Sequence, residues 1–191
     1  MRRRIWLVGT AIAAASLVVG VGFASAASSS TSTTVKVKPI NLHCNISMAT
    51  QPPSGSSSVD PTAAQGNQYG TTHCPTRGFG PGMIADSFTV PDSGDNVGTY
   101  TEYFNAGSVS GTFDLTPQES PPLTSTTFSS QSWTGTITVD SGTGVYKGIK
   151  TYHKKHHPVV PGVFNCTSPD SVHLTCTEQI KVAPPAAGTI A

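Results

Sequence analysis

The chain has 191 residues, of which 11% are charged, and its formal net charge is +1. Without the three arginines at positions 2–4, 8 of the 11 basic residues remain against 10 acidic ones, which argues against a nucleic-acid-binding face. The length fits one domain, and the low charge with abundant Ser, Thr, Gly and Pro is typical of a secreted all-β domain with long turns.

The N-terminus has the pattern of an export signal. Three arginines at 2–4 are followed by an apolar run over 5–23 and by Ala24-Ser25-Ala26, a small-residue exit that a signal peptidase accepts. A short membrane span is the alternative. We expect residues 1–26 to be a cleaved signal peptide, which makes the product secreted or extracytoplasmic, with no stable membrane anchor after cleavage.

The next segments are polar and irregular. Residues 27–34 are predicted to be a flexible polar leader, and 35–191 a single domain whose first strand covers 35–48. The stretch 50–82 is dense in Pro, Gly, Ser, Asn and Gln. We predict that it is a long loop, pinned by Cys44 and Cys74.

Regular strand signals begin after this loop. Apolar alternation bounded by turn residues predicts strands at 83–90, 97–105, 108–116, 132–139, 144–152, 162–167 and 172–182. No segment has useful helical periodicity. The chain is therefore predicted to be all-β, an antiparallel meander that closes into a barrel or folds as a sandwich.

Four cysteines lie in the exported part: Cys44, Cys74, Cys166 and Cys176. In an oxidising compartment an even number predicts two disulfides, with three possible connectivities. We favour Cys44–Cys74 and Cys166–Cys176, the nearest neighbours in sequence. The alternative is a four-cysteine zinc site, but the usual CxxC pairs are absent.

Two carboxylates share a strand face with apolar residues. Glu178 alternates with Leu174 and Ile180, and Glu102 lies between Tyr100 and Phe104. A carboxyl group in an apolar interior has a raised pKa and can act as a general acid or base, or orient a ligand. For Glu178 we favour the alternative that the last strand has left the barrel at this point and the side chain is hydrated.

A histidine-rich loop follows the strand predicted at 144–152. His153, His156 and His157 have a spacing that could bind copper, nickel or zinc. Two lysines within the loop would repel a cation, so a solvated basic loop is the preferred interpretation. Four of the seven lysines after the signal lie in this loop or in the strand predicted before it, which also suits an anionic envelope polymer: Lys147, Lys150, Lys154 and Lys155. We expect no cofactor.

One phrase resembles a known family. Ser-Gly-Thr-Gly-Val-Tyr-Lys-Gly at 141–148 is similar to the Gly-Gly-Thr-Gly-x-Tyr/Phe-x-Gly hairpin of the allene oxide cyclase and dirigent-like β-barrels. The resemblance implies a barrel of about eight strands with a central cavity. The similarity extends over residues 98–178, less than half of the chain, and carries no catalytic signature. The sequence departs from the family pattern at Thr151-Tyr152-His153.

Together these features predict a secreted, disulfide-bonded β-barrel that is a non-catalytic binding or structural module at the cell envelope or in the medium. Its interior could hold a small apolar ligand. The first alternative is a cyclase-like or isomerase-like enzyme that uses Glu178 or Glu102. The second is a metal-binding protein that uses the loop from His153 to His157.

Overall fold

The structure is a computed structural model that describes residues 38–52, 65–91, 94–118, 131–170 and 172–185. The predicted signal peptide at 1–26 and leader at 27–34 lie outside the described residues. The strands are β1 (Ile40–Thr50), β2 (Gln65–Cys74), β3 (Gly80–Thr89), β4 (Asn96–Phe104), β5 (Gly107–Pro117), β6 (Gln131–Gly142), β7 (Lys150–Thr151), β8 (Gly162–Ser168) and β9 (His173–Ala183). Within the described ranges, no helix has the length and apolarity needed to cross a membrane.

The strands form a closed antiparallel barrel. Strands β1 to β6 pair in chain order, and β6 pairs with β8 and β8 with β9. Strand β9 then pairs with β1 from Ile40↔Val182 to Ala49↔His173, which closes the sheet. The short β7 adds two residues beside the end of β9. The prediction of an all-β, eight-stranded barrel is confirmed.

The prediction of one long loop over 50–82 is wrong, because residues 65–74 form β2 and β3 begins at Gly80. Residues 53–64 of that stretch lie outside the described residues. Strand β2 shows no apolar alternation in the sequence, because polar residues, Gln68 and Thr72, occupy two of its buried positions. Hydrogen-bonded neighbours on both sides therefore hold it in the sheet, rather than an apolar face of its own.

The predicted strand at 144–152 is also wrong. A short 3-10 helix (Gly144–Tyr146) and the two-residue β7 take its place. Gly144 and Gly148 have φ values of +58° and +87°, a left-handed conformation that interrupts an extended strand. The barrel therefore has the predicted number of strands, but β2 replaces 144–152 among them.

The turn at Gly144–Tyr146 packs across one end of the barrel. Tyr146 stacks on Phe79 with ring centroids 4.9 Å apart and meets Phe104 edge-on at 5.7 Å. Its hydroxyl donates a 2.7 Å hydrogen bond to the carbonyl of Gly78. These aromatic rings cover the end formed by the C-terminal ends of β2, β4 and β6.

Glycines make room for aromatic rings in the barrel interior. Gly98 lies opposite Phe113, and Gly111 lies opposite Tyr100, on neighbouring strands. A β-carbon at Gly98 would come within 2.6 Å of the Phe113 ring and within 2.1 Å of the Ser87 carbonyl oxygen. Close packing of this kind fixes the register of the central strands.

Candidate functional site

Both predicted disulfides are present and point into the barrel. Cys44 bonds Cys74 between β1 and β2, and Cys166 bonds Cys176 at directly opposed positions of β8 and β9. All four side chains are buried. Two disulfides suggest an oxidising, extracytoplasmic environment.

Glu178 is buried in the middle of β9, and the expectation that it would be hydrated is wrong. Its cross-strand neighbours are Cys44 on β1 and Phe164 on β8, and it is 1% exposed. The strand has not left the barrel at this point, because β9 stays paired with β1 as far as Val182. Neither carboxyl oxygen of Glu178 has a hydrogen-bond partner among the described residues.

Glu102 faces the interior from β4, as the alternation predicted. It is fully buried, and its cross-strand neighbours are Ile84 and Val109. Oε1 accepts a 2.6 Å hydrogen bond from the Thr72 hydroxyl, whereas Oε2 has no partner within the described part of the chain. The carboxyl group lies within 4.8 Å of the sulfur atoms of Cys44 and Cys74.

The two glutamates form an electrostatic pair. Burial raises the pKa of Glu102 to about 7, against the hydrogen bond from Thr72, which lowers it. Burial raises the pKa of Glu178 well above its usual range, and the charge of Glu102 raises it further. Both effects favour the protonated form of Glu178, and the pKa of Glu102 lies near neutral pH. A neutral carboxyl group can both donate and accept a hydrogen bond.

Two more interior groups extend this polar cluster. Burial and the charges of Glu178 and Glu102 raise the pKa of Tyr100, whose hydroxyl donates a 3.0 Å hydrogen bond to the Thr138 carbonyl. Burial also raises the pKa of Asp86 to about 7, although the backbone amide of Gln68 opposes this. The sequence interpretation missed Asp86. The sequence pattern did indicate it, because Asp86 alternates with Ile84 and Phe88 just as Glu102 alternates with Tyr100 and Phe104.

The structure places the histidine-rich loop on the surface. His153, His156 and His157 are all exposed. Among the described residues, only Cys44, Cys74 and Glu102 form a group of three or more potential metal ligands whose donor atoms lie within 4.8 Å of one another. Both of these cysteines are in a disulfide, so their sulfur atoms are not thiolate ligands. The three loop histidines do not form such a group.

Comparisons with protein-family models, with curated proteins and with solved structures find no match to this chain. They identify no family. The resemblance to the allene oxide cyclase and dirigent-like barrels therefore stays a prediction from the motif at 141–148.

Proposed function

We propose that the protein is a secreted binding protein that holds a small, largely apolar molecule inside its barrel, with Glu102 and Glu178 as the polar anchor. The observation that carries the proposal is the set of three carboxyl oxygens in this pair that have no hydrogen-bond partner among the described residues. A buried polar group without a partner costs roughly 1–3 kcal/mol. A ligand that hydrogen-bonds to the pair recovers this energy on binding.

The surroundings of the pair indicate the chemistry of the ligand. The cross-strand neighbours Ile84, Val109 and Phe164 are apolar, as is the Cys44–Cys74 disulfide. Ionised ligand groups are disfavoured, because an anion meets two acidic groups and any charge loses its hydration. We therefore propose a neutral ligand with an apolar body and one hydroxyl, amide or amine group.

Secretion is part of the same proposal. Its support is the basic head, apolar run and small-residue exit of residues 1–26, together with the two disulfides. Native mass spectrometry of the protein from culture medium tests it. The expected mass is that of residues 27–191 less four hydrogens; the intact chain with its N-terminus attached would contradict secretion by cleavage.

A second candidate is an enzyme of the cyclase or isomerase type that uses the same pair. The specific observation in its favour is that burial raises the pKa of Glu102 to about 7, and that burial and the charge of Glu102 raise the pKa of Glu178. Carboxyl groups with raised pKa values can serve as general acid or general base near neutral pH. An enzyme would release an added molecule in a chemically altered form, whereas a binding protein would release the same molecule unchanged.

A pair of probes tests the binding proposal. Naphthalene and 2-naphthol have the same aromatic body, but only 2-naphthol has a hydroxyl group. Near pH 6 we expect the wild-type protein to bind one 2-naphthol and to prefer it over naphthalene by roughly tenfold, the value of one buried hydrogen bond. The variant E102L/E178L should lose this preference, since leucine keeps the interior apolar and removes the polar anchor.

The control variant is D114N, which removes an exposed carboxylate from β5. It should keep the wild-type preference. If neither probe binds the wild-type barrel, or if E102L/E178L discriminates between them as well as D114N does, the carboxyl pair is not a ligand anchor.

A further inference from the structure

A cleft of about 670 Å³ lies on the outside of the barrel wall. One side is formed by outward-facing residues that are neighbours across three strands: Asn41 and His43 on β1, Gln179 and Lys181 on β9, and Val163 on β8. The other side is the segment 152–161. The backbone N–H of Tyr152 donates a 2.8 Å hydrogen bond to the Lys181 carbonyl and ties this segment to β9. The volume is in the range of small-molecule sites.

The cleft has an apolar surface that is not covered by other described residues. Val160 is 69% exposed and Val163 is 50% exposed, and Pro158 and Pro161 lie beside them. A single exposed valine is ordinary, but these four apolar residues line one concave site. They suit the apolar body of a ligand.

The charged groups of the cleft are all basic. Lys154 comes from the loop and Lys181 from β9, and His43, His153 and His157 add three imidazoles. The lining residues include no aspartate or glutamate. An anionic group entering the cleft therefore meets two ammonium groups and no opposing carboxylate.

We propose that this cleft binds a small amphipathic anion. The apolar body lies against Val160 and Val163, and a carboxylate or sulfonate group pairs with Lys154 and Lys181. The site is independent of the interior pair. It lies on the outer face of the sheet, and it selects an anionic ligand rather than a neutral one. The basic loop that the sequence singled out thereby forms one wall of an anion site.

Two fluorescent probes isolate the role of the charge. 8-Anilinonaphthalene-1-sulfonate is an anion, and N-phenyl-1-naphthylamine has the same aromatic body without the sulfonate. We expect the folded protein to bind the sulfonate saturably near neutral pH. The variant K154Q/K181Q should weaken its binding about fivefold to tenfold, as expected for losing two partly solvated ion pairs. Binding of the neutral probe should be unchanged in this variant.

The chain supplies matched controls. K147Q/K150Q removes two exposed lysines that do not line the cleft, and V159T changes an exposed valine beside the lining residue Val160. Both should leave sulfonate binding unchanged, whereas V160T should weaken it. Thermal melting of each variant must show a folded protein, since partly unfolded states also bind this dye.

Three outcomes would overturn the proposal. One is equal sulfonate affinity in K154Q/K181Q and K147Q/K150Q. Another is an equal loss of affinity for both probes in K154Q/K181Q, which would indicate a purely apolar surface. The third is binding of polygalacturonate with no binding of the sulfonate probe, which would assign the basic groups to a polymer. The variant E102L/E178L should not affect sulfonate binding, so failure of the interior site is distinguishable from failure of this one.

Discussion

The Thr72 hydroxyl donates a 2.6 Å hydrogen bond to Oε1 of Glu102 inside the barrel. Thr72 lies on β2 and Glu102 on β4, so the bond passes over the strand between them. It stabilises the ionised form of Glu102 and thereby opposes the effect of burial on its pKa. Thr72 therefore lowers the pKa of one member of the carboxyl pair, Glu102.

Replacing Thr72 by valine should raise the pKa of Glu102. Valine keeps the shape of threonine but cannot donate a hydrogen bond, so the ionised carboxylate loses its partner. Hydrogen bonds to charged groups contribute about 1.5–3 kcal/mol, and the pKa should increase by about 1 or more. Carbon-13 NMR titration of the glutamate carboxyl groups measures this directly. The T72S variant keeps the hydroxyl and should titrate like the wild type; identical midpoints in T72V and T72S would show that the bond has no influence.

The buried carboxyl groups should make the protein more stable in mild acid than in mild base. Glu102 and Asp86 have folded-state pKa values of about 7, above the unfolded values near 4. Between about pH 4 and 7 the folded state therefore binds more protons than the unfolded state, and the free energy of unfolding decreases as the pH rises. The slope is at most about 1.4 kcal/mol per pH unit for each group. Urea unfolding at pH 5 and pH 8 should give the higher free energy at pH 5.

The pH dependence has an internal control. The variant E102Q/E178Q removes two of the titrating groups and should show a shallower decrease between pH 5 and pH 8, while D114N should match the wild type. Asp170 acts in the opposite direction, because hydrogen bonds from the backbone and side chain of His173 lower its pKa. Its contribution is lost only below about pH 4, outside this window. Equal slopes in E102Q/E178Q and D114N would contradict the assignment.

The strands with an apolar face could be predicted from the sequence, and β2 could not. Strands such as β5 and β9 alternate apolar and polar residues, so their existence and inward faces follow from period-two patterning. In β2 the inward side carries Gln68 and Thr72, and Gly70 lies against the backbone of Ser47 and Met48. This composition is that of a loop. Only long-range pairing with β1 and β3 makes it a strand.

The candidate site was predicted in part. Alternation placed Glu102 and Glu178 on apolar faces, and both side chains are buried, but the preferred interpretation of Glu178 as hydrated is wrong. It could not show that β9 stays paired with β1 beyond Glu178, because that depends on closure of the barrel between the two ends of the chain. It also could not show that the charge of Glu102 raises the pKa of Glu178, since the strands that carry them are not neighbours in the sheet.

Removing the disulfides should destabilise the barrel unequally. The cysteines of the first bridge are 30 residues apart and those of the second are 10 apart. In the chain-entropy model the bridges contribute about 4 and about 3 kcal/mol. We expect C44A/C74A to lower the free energy of unfolding in urea more than C166A/C176A does. Equal losses, or the reverse order, would show that packing around the sulfur atoms outweighs the constraint on the unfolded chain.

Gly98 should tolerate alanine much less well than Gly66 does. Both lie opposite Phe88 in the sheet, and the substitution reduces the unfolded-state entropy equally at the two positions. At Gly98 the new β-carbon would be 2.1 Å from the Ser87 carbonyl oxygen, which is backbone and cannot move aside. At Gly66 its close contacts are with the Phe88 ring, at 2.8 Å and beyond, and a ring can rotate. G98A should cost about 1–3 kcal/mol in urea unfolding, the usual cost of overpacking, and G66A should cost less. If the two variants unfold at the same urea concentration, close backbone approach at Gly98 does not limit the size of this residue.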